Sequence, residues 1–534
     1  MQRTWTSTRG LAKGLIVLLA AMLILAGCSG GNKGGNTTDP GTAGTNNSGA
    51  GTETPAAESG EKVLTIANPT DIESFDVHNN NNTFSEAVMV NVFDYLLKND
   101  SSQNKQPSLA TSWEQVNDTT WRFKLRDDVK FHNGDPFTSA DVKFSLERVA
   151  KDSGLKQHTY YKDLKEVNIV DEHTVDIVTN NPDPIMLNRL SRMGADILPS
   201  KYIEENGMEA FLKAPVGTGP YKYSNWAKDD RIELVKYDDY FGGEPKWDKV
   251  VFRMIPEAST RVSELLTGGV DIVSNVPATD IERIDASDKA SVEQATIQRV
   301  LHVLMRTAEG SVTADPKVRE AVELAIDKQA IIDSIAGGAG IPTRTSVTPG
   351  NFGADPSLYD QQLYDLDRAK ALLKEAGYES GPKITFTAGS NYKEVAEVTA
   401  AMLTQAGFEV NLEILEPSKF SETYNAKGFK ELFLLGVGNS LFDASNNYNR
   451  FLKENGKGET DYDNAEVEEL LQSAASNMDP ADREKQFQQV QQHIANDRPT
   501  IYLYQMKGIY GVSDRIAYAP RLDEMFFAEE ITLK

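Results

Sequence analysis

A chain of 534 residues with one cysteine, Cys28, cannot close an internal disulfide. Whatever it folds into must be held by apolar packing, and a chain this long can build two or three cores. The position of that cysteine is equally telling. Arg3, Arg9 and Lys13 precede an apolar run over residues 15–25, and Leu25-Ala26-Gly27-Cys28 closes it. A basic start followed by a short apolar stretch and small residues is the layout of a bacterial secretory signal. The run is shorter than the ~20 residues that span a bilayer comfortably. An exported chain usually works where disulfides can form, and this one uses none.

The formal charge is −24. Removing residues 1–27 takes away three cations and no acids, so the remainder is still more acidic. That disfavours nucleic acid and anionic membrane surfaces as partners. Residues 29–60 are almost wholly Gly, Asn, Thr, Ser, Ala and Pro without periodicity. Such a stretch reads as a flexible tether (28–61 with its ends), spanning on the order of 30 Å as a random coil.

Order is expected from Val63-Leu64-Thr65-Ile66-Ala67, a short strand. Trp121, Phe123 and Leu125 alternate as on a half-buried strand, and 167–169 and 175–177 flank Asp171-Glu172 as a hairpin. Thr138 with Asp141 three residues on is a capping box opening a helix that buries Val142, Leu146 and Val149. The Gly/Pro-rich run 215–221 reads as a domain crossing. Asp315-Pro316 starts a helix with Val318, Val322 and Ile326 on one face, stopped by Gly337-Gly338. Helices at 367–376 and 394–406, a strand at 408–414, and a helix from Asp479-Pro480 with Phe487, Val490 and Ile494 inward complete an α/β pattern.

Motifs for chemistry are missing. One cysteine excludes paired-cysteine zinc spacing, and the six histidines (His78, His132, His158, His173, His302, His493) form no His-Glu-x-x-His pair. No Gly-x-Ser-x-Gly elbow, P-loop or dinucleotide fingerprint occurs. Three Ser-x-x-Lys tetrads (Ser102 with Lys105, Ser153 with Lys156, Ser380 with Lys383) are chance-level, and no Lys-Thr-Gly follows. A lipid-anchored extracellular hydrolase is the alternative of another class, and no motif supports it. No cofactor or metal is expected.

Three stretches resemble one family. The first joins Leu109-Ala110-Thr111-Ser112-Trp113, Thr120-Trp121-Arg122-Phe123 and Val129-Lys130-Phe131-His132-Asn133-Gly134-Asp135-Pro136-Phe137-Thr138. The second runs from Gly217-Thr218-Gly219-Pro220-Tyr221 through Tyr240-Phe241 to Glu264-Leu265-Leu266-Thr267-Gly268-Gly269-Val270-Asp271-Ile272. The third is Val318-Arg319-Glu320-Ala321 with Ala325-Ile326-Asp327. Together they are similar to the extracellular solute-binding proteins of family 5, the peptide- and nickel-type receptors of ABC importers. The Leu-Ala-Gly-Cys tetrad resembles the lipobox of bacterial lipoproteins, which implies lipid attachment at Cys28 after cleavage. Within the motifs, Trp113 and Trp121 read as core residues and Asp135-Pro136 as a turn.

The resemblance implies a periplasmic-binding-protein-like α/β fold (type 2) of two lobes with an inserted domain and a cleft between the lobes. The first lobe is discontinuous (62–103, 214–302 and 500–534), the inserted domain is 104–213, and the opposite lobe is 303–499. It also implies a monomer that captures a small solute and delivers it to a membrane permease, held by its lipid to the outer face of the cell membrane. The leading solute is an oligopeptide or dipeptide; an oligosaccharide, an opine-like compound or a metal chelate are the alternatives.

In peptide-binding relatives an acidic residue pairs with the ligand's ammonium in a Gly-Trp-x-x-Asp stretch. Here that stretch reads Gly436-Val437-Gly438-Asn439-Ser440-Leu441-Phe442-Asp443-Ala444. Ser440 stands at the usual aspartate, so Asn439, Ser440 and Asp443 are the candidates, with Asp443 the substitute ammonium partner or a turn residue. Arg306 stands where relatives often carry Asn and is either a carboxylate partner or part of a surface salt bridge. Asn81, Asn82 and Phe84 match a cleft-facing loop of the family, and Arg344 and Tyr448 are further candidates of the same kind.

Overall fold

Two long antiparallel strands organise the chain, Ala290–Met305 and Thr500–Ser513. Thr500–Ser513 is rich in β-branched and aromatic residues and almost continuously buried, the pattern of a strand covered on both faces, whereas Ala290–Met305 is buried mainly from Ile297 onward and exposes Glu293 and Gln294. In this computed structural model, which describes residues 60–534, they form the middle of an eleven-stranded sheet. Leu432–Gly438, Lys383–Gly389 and Glu409–Leu415 extend it beyond Ala290–Met305. On the other side lie Ile272–Val273, Val63–Asn68, Lys249–Met254, Arg231–Lys236 and Tyr221–Ala227. The expectations placed on the signal, on Cys28 and on almost all of the tether lie outside the described residues.

Each long strand runs from one core into another. Leu301, Val303 and Met305 pack with Ile501, Leu503 and Tyr504 in a core that includes Val318, Val322, Phe386 and Leu403. At the other ends, Ala290 and Ile509 pack with Val262 and Leu265, and Tyr510 and Val512 join Leu64, Phe93 and Tyr221. The sheet thus bears two lobes joined by these strands, the two-lobed α/β architecture that the sequence implies. Between the cores the ladder slips twice, between Thr296 and Val300 and between Val300 and His302. Such bulges bend a strand and free backbone groups from the ladder.

The inserted stretch has its own four-stranded sheet, ordered Ala110–Asn117, Thr120–Leu125, Thr174–Thr179, Leu164–Asp171. Its apolar residues (Phe123, Val142, Val167) share one continuous core with Leu64, Phe93 and Tyr221. Trp113 and Trp121 pack half-buried against that core. The helix Ser139–Lys151 opens with the full capping box of Thr138 and Asp141. Asp479 caps Pro480–Asp497, whose Phe487, Val490 and Ile494 are buried. One expectation fails: the helix from Asp315 does not continue to Gly337. It ends at Ala325, Ile326 turns to extended backbone, and Asp327 caps a second helix, Lys328–Ile335, by accepting from Ala330 N at 3.0 Å. An aspartate inside a helical pattern competes for backbone N–H groups, and here that local bond wins over apolar periodicity.

The Gly/Pro-rich run returns the chain from the inserted stretch to the sheet and presses on the first lobe. A Cβ on Gly217 would stand 1.9 Å from Val92 O, so only glycine fits there. His132 clamps the run: Nε2 donates to Gly219 O at 2.9 Å and Nδ1 accepts from Gly217 N at 3.2 Å. That arrangement needs neutral imidazole. Burial lowers the pKa of His132 to about 4, and burial with the nearby Arg148 cation lowers that of His78 to about 3. In the unfolded chain both titrate near 6.5. Below that value the unfolded state binds more protons than the folded one, so stability is lost as pH falls from about 6.5 towards 4. Urea unfolding across this range should show that decline, and His132→Gln should make it shallower; an unchanged slope would remove His132 from the account. Gly217→Ala should lower stability by about 1–3 kcal/mol in the same assay through overpacking.

Candidate functional site

At the slipped register the strand Ala290–Met305 turns its backbone outward. Gln298 N donates to Leu522 O at 3.2 Å, Gln298 O accepts from Asn439 N at 2.9 Å, and Gln505 Nε2 covers Ile297 O at 2.9 Å. These bonds tie three distant segments to one point. Beside them opens a cavity of about 260 Å³. Its wall comes from Asn81, Thr83 and Glu86, from Gln157, Tyr160 and Arg192 of the inserted stretch, from Gln298 and Arg299, from Gly438 to Ser440 with Phe442 and Asn446, and from Asp523 to Met525 with Phe527. Asn188 Nδ2 donates to Leu441 O at 2.5 Å, so the inserted stretch meets the opposite lobe directly at the rim.

Two wall residues sit in left-handed backbone without being glycine, Phe442 (φ 53°) and Glu524 (φ 66°). Such conformations cost ~1–3 kcal/mol and persist where surrounding bonds over-determine them, characteristically at binding sites. Glu524 is held by Arg299 Nη2 at 3.3 Å. Phe442 lies between Asn439, which accepts its N–H at 3.3 Å, and Phe352, whose N–H it accepts at 2.9 Å.

Of the residues singled out from sequence, Asn81, Asn439 and Ser440 line the cavity. Asn82 and Phe84 do not. Asn82 instead caps Thr83–Met89, accepting from Phe84 N at 2.8 Å and Ser85 N at 3.2 Å, and so fixes the helix that carries Glu86. The other four are engaged elsewhere. Asp443 is buried in a bidentate pair with Arg483, both bonds at 2.7 Å, and caps the helix Ala444–Tyr448. Both of its oxygens are engaged within the protein, and it is not among the residues that line the cavity. Arg306 pairs with Asp461 at 2.5 Å and donates to Phe429 O, the salt-bridge alternative. Arg344 is buried against Glu323 at 2.8 Å and Ala495 O at 2.7 Å. Tyr448 is core, its hydroxyl 3.1 Å from that of Thr345 and 3.3 Å from that of Tyr502. The charged wall residues Glu86, Lys98, Arg192, Arg299, Asp523 and Glu524 stand in no motif that a single sequence displays. The signal within reach was the polar segment from Asn79 to Glu86.

The site is a concave cavity with a mixed polar and apolar wall. No group of three or more His, Cys, Asp or Glu side chains among the described residues is placed to hold a metal. Polar and apolar groups share the wall of a partly open cavity whose volume is just below the ~300–1,000 Å³ typical of small-molecule sites. Because Asp443 serves Arg483, Asp443→Asn should act on stability, lowering it by about 3–5 kcal/mol through the guanidinium left buried and unpaired. Denaturant unfolding would measure this, and a variant of unchanged stability would argue against the pair's structural role.

Comparison with known proteins agrees with this geometry. The family model for bacterial extracellular solute-binding proteins, family 5 (middle region), matches residues 104–459. The glutathione-binding protein GsiB of Escherichia coli (strain K12) is 28% identical over 467 residues, covering 83% of this chain and 88% of that protein. The periplasmic binding protein DppA of Helicobacter pylori, solved with the peptide STSA, superposes with a TM-score of 0.76 at 25% identity, covering 88% of this chain and 98% of that one. NikZ of Campylobacter jejuni, solved with Ni(L-His), shares the fold (TM-score 0.74, 21% identity, 88% of this chain and 99% of that one). One architecture therefore carries different solutes, and the cavity wall must decide among them. With a two-lobed sheet, a cavity at the strands that join the lobes, and a family match over two thirds of its length, the chain belongs to the bacterial extracellular solute-binding proteins of family 5.

Proposed function

We propose that this protein is the solute receptor of an ABC importer and that its solute is a short peptide, released unchanged to a membrane permease. The observation that carries this reading is the cavity at the register break, with wall residues from the first lobe, the inserted stretch and the opposite lobe. A ligand touching all of these favours the closed arrangement over an open one by its differential contacts, and that closed form is what a permease can recognise. The volume supports a short peptide over a long one. The names of GsiB and DppA, a glutathione-binding and a peptide-complexed protein, support the same solute class. Asn81, Asn439 and Ser440 remain proposed ligand contacts.

Delivery needs proximity. We infer that Cys28 carries the lipid, that the segment after it is a tether, and that the receptor works as a monomer on the outer face of the cell membrane. Two acyl chains anchor stably where one does not, and anchoring raises the receptor's effective concentration at the permease.

Native mass spectrometry of the purified protein, before and after partial unfolding, should release a small peptide and no product of turnover. Persistent absence of any solute together with hydrolysis of peptides or esters would favour an enzyme. Cys28→Ser should leave the protein without acyl label and no longer membrane-bound; normal acyl labelling of that variant would exclude Cys28 as the attachment site.

A further inference from the structure

Six side chains on the cavity wall carry charge, and four of them are already paired. Lys98 meets Glu529 at 2.9 Å, Asp523 meets Arg521 at 2.7 Å, and Arg299 meets Glu524 at 3.3 Å. The other two, Arg192 and Glu86, have no ion pair among the described residues.

Arg192 is only 5% exposed. Its Nη1 donates to the neutral Gln157 Oε1 at 3.0 Å, its guanidinium lies 4.6 Å above the Tyr160 ring, and its Nε has no partner. No protein acceptor takes a bond from Nη2 among the described residues. A buried cation without an anion is costly unless something supplies one. Glu86 presents the converse. Its Oε1 accepts from Met193 N at 2.8 Å and from Tyr95 OH at 3.3 Å, and no protein donor reaches its Oε2 among the described residues. Burial raises its pKa, with Arg192 opposing that rise from a distance. Asp196, buried nearby, keeps its own Oδ2 on Gly194 N and makes no ion pair with Arg192.

Both unpaired charges therefore open on one cavity, from one side of it. The facing wall of Gly438, Asn439, Ser440, Phe442 and Asn446 carries no charge. We propose that Arg192 receives the carboxylate and Glu86 the ammonium group of a short peptide with both ends free. The assignment rests on the peptide-receptor reading above and specifies its solute class: a zwitterion small enough for about 260 Å³, whose charges are read by the first lobe and the inserted stretch while the opposite lobe adds neutral contacts. The planar guanidinium suits a carboxylate through two donors, and its stacking on Tyr160 holds that plane.

The test uses three pools of synthetic dipeptides, unblocked, N-acetylated and C-amidated, with binding read by native mass spectrometry and titration calorimetry. Wild type should prefer the unblocked pool to either blocked pool by on the order of 30-fold or more, since each block leaves one buried charge unmatched. Arg192→Gln should abolish the penalty for amidation and keep that for acetylation; Glu86→Gln should do the reverse. Because Arg192 is buried, Arg192→Lys and a circular dichroism spectrum accompany it: the lysine should reduce the amidation penalty without abolishing it. Penalties that persist unchanged in the folded variants would overturn the assignment while leaving the peptide reading intact. Wild type that takes up none of the pools would overturn both.

Discussion

The break in register between the strands Ala290–Met305 and Thr500–Ser513 is the constraint on which the rest of the molecule depends. A continuous ladder of that length would join the two cores through one stiff ribbon with every backbone group spoken for. The double slip between Thr296 and His302 instead leaves Gln298 free to bond Leu522 and Asn439. It also places Gln298 and Arg299 on the cavity wall. The same local irregularity thus opens the site and ties its walls together, as bulges near binding sites commonly do.

Electrostatics divides the molecule into groups that hold it and groups left to bind. In the opposite lobe Asp443 with Arg483, and Glu323 with Arg344 and Arg498, are buried pairs with their lone pairs largely filled. Such pairs contribute little net stability compared with apolar packing, yet breaking one is expensive, and so they define a unique arrangement. Around the cavity most charges are matched in the same way. On the cavity wall, among the described residues, the charges without an ion pair are Arg192 and Glu86, and a mismatch beside a cavity is how a protein leaves room for a ligand's own charges.

Much of the fold was legible. Capping chemistry is local, so Thr138 with Asp141 and Asp479 with Pro480 announce helix starts that tertiary contacts have no reason to move. The strand expected at 408–414 forms one residue later, as Glu409–Leu415, with Phe408 buried before it. The helix expected beyond Ile326 breaks because Asp327 offers its carboxylate to a backbone N–H, a competition that apolar periodicity does not reveal.

Sequence by itself determined that this chain needs apolar cores without disulfides, that it alternates helices with strands, and which family its motifs resemble, because composition, caps and motif order are properties of short stretches. Only the tertiary structure decided the site. Asp443 and Arg344 have the chemistry of ligand residues, yet Arg483 and Glu323, far from them in sequence, claim their charges. Arg192 and Glu86 carry no motif, and they become candidates because the fold brings them to one cavity and pairs neither with a counter-ion among the described residues. Whether a charge is spent within the protein or left for a solute depends on three-dimensional proximity between residues that the sequence keeps apart.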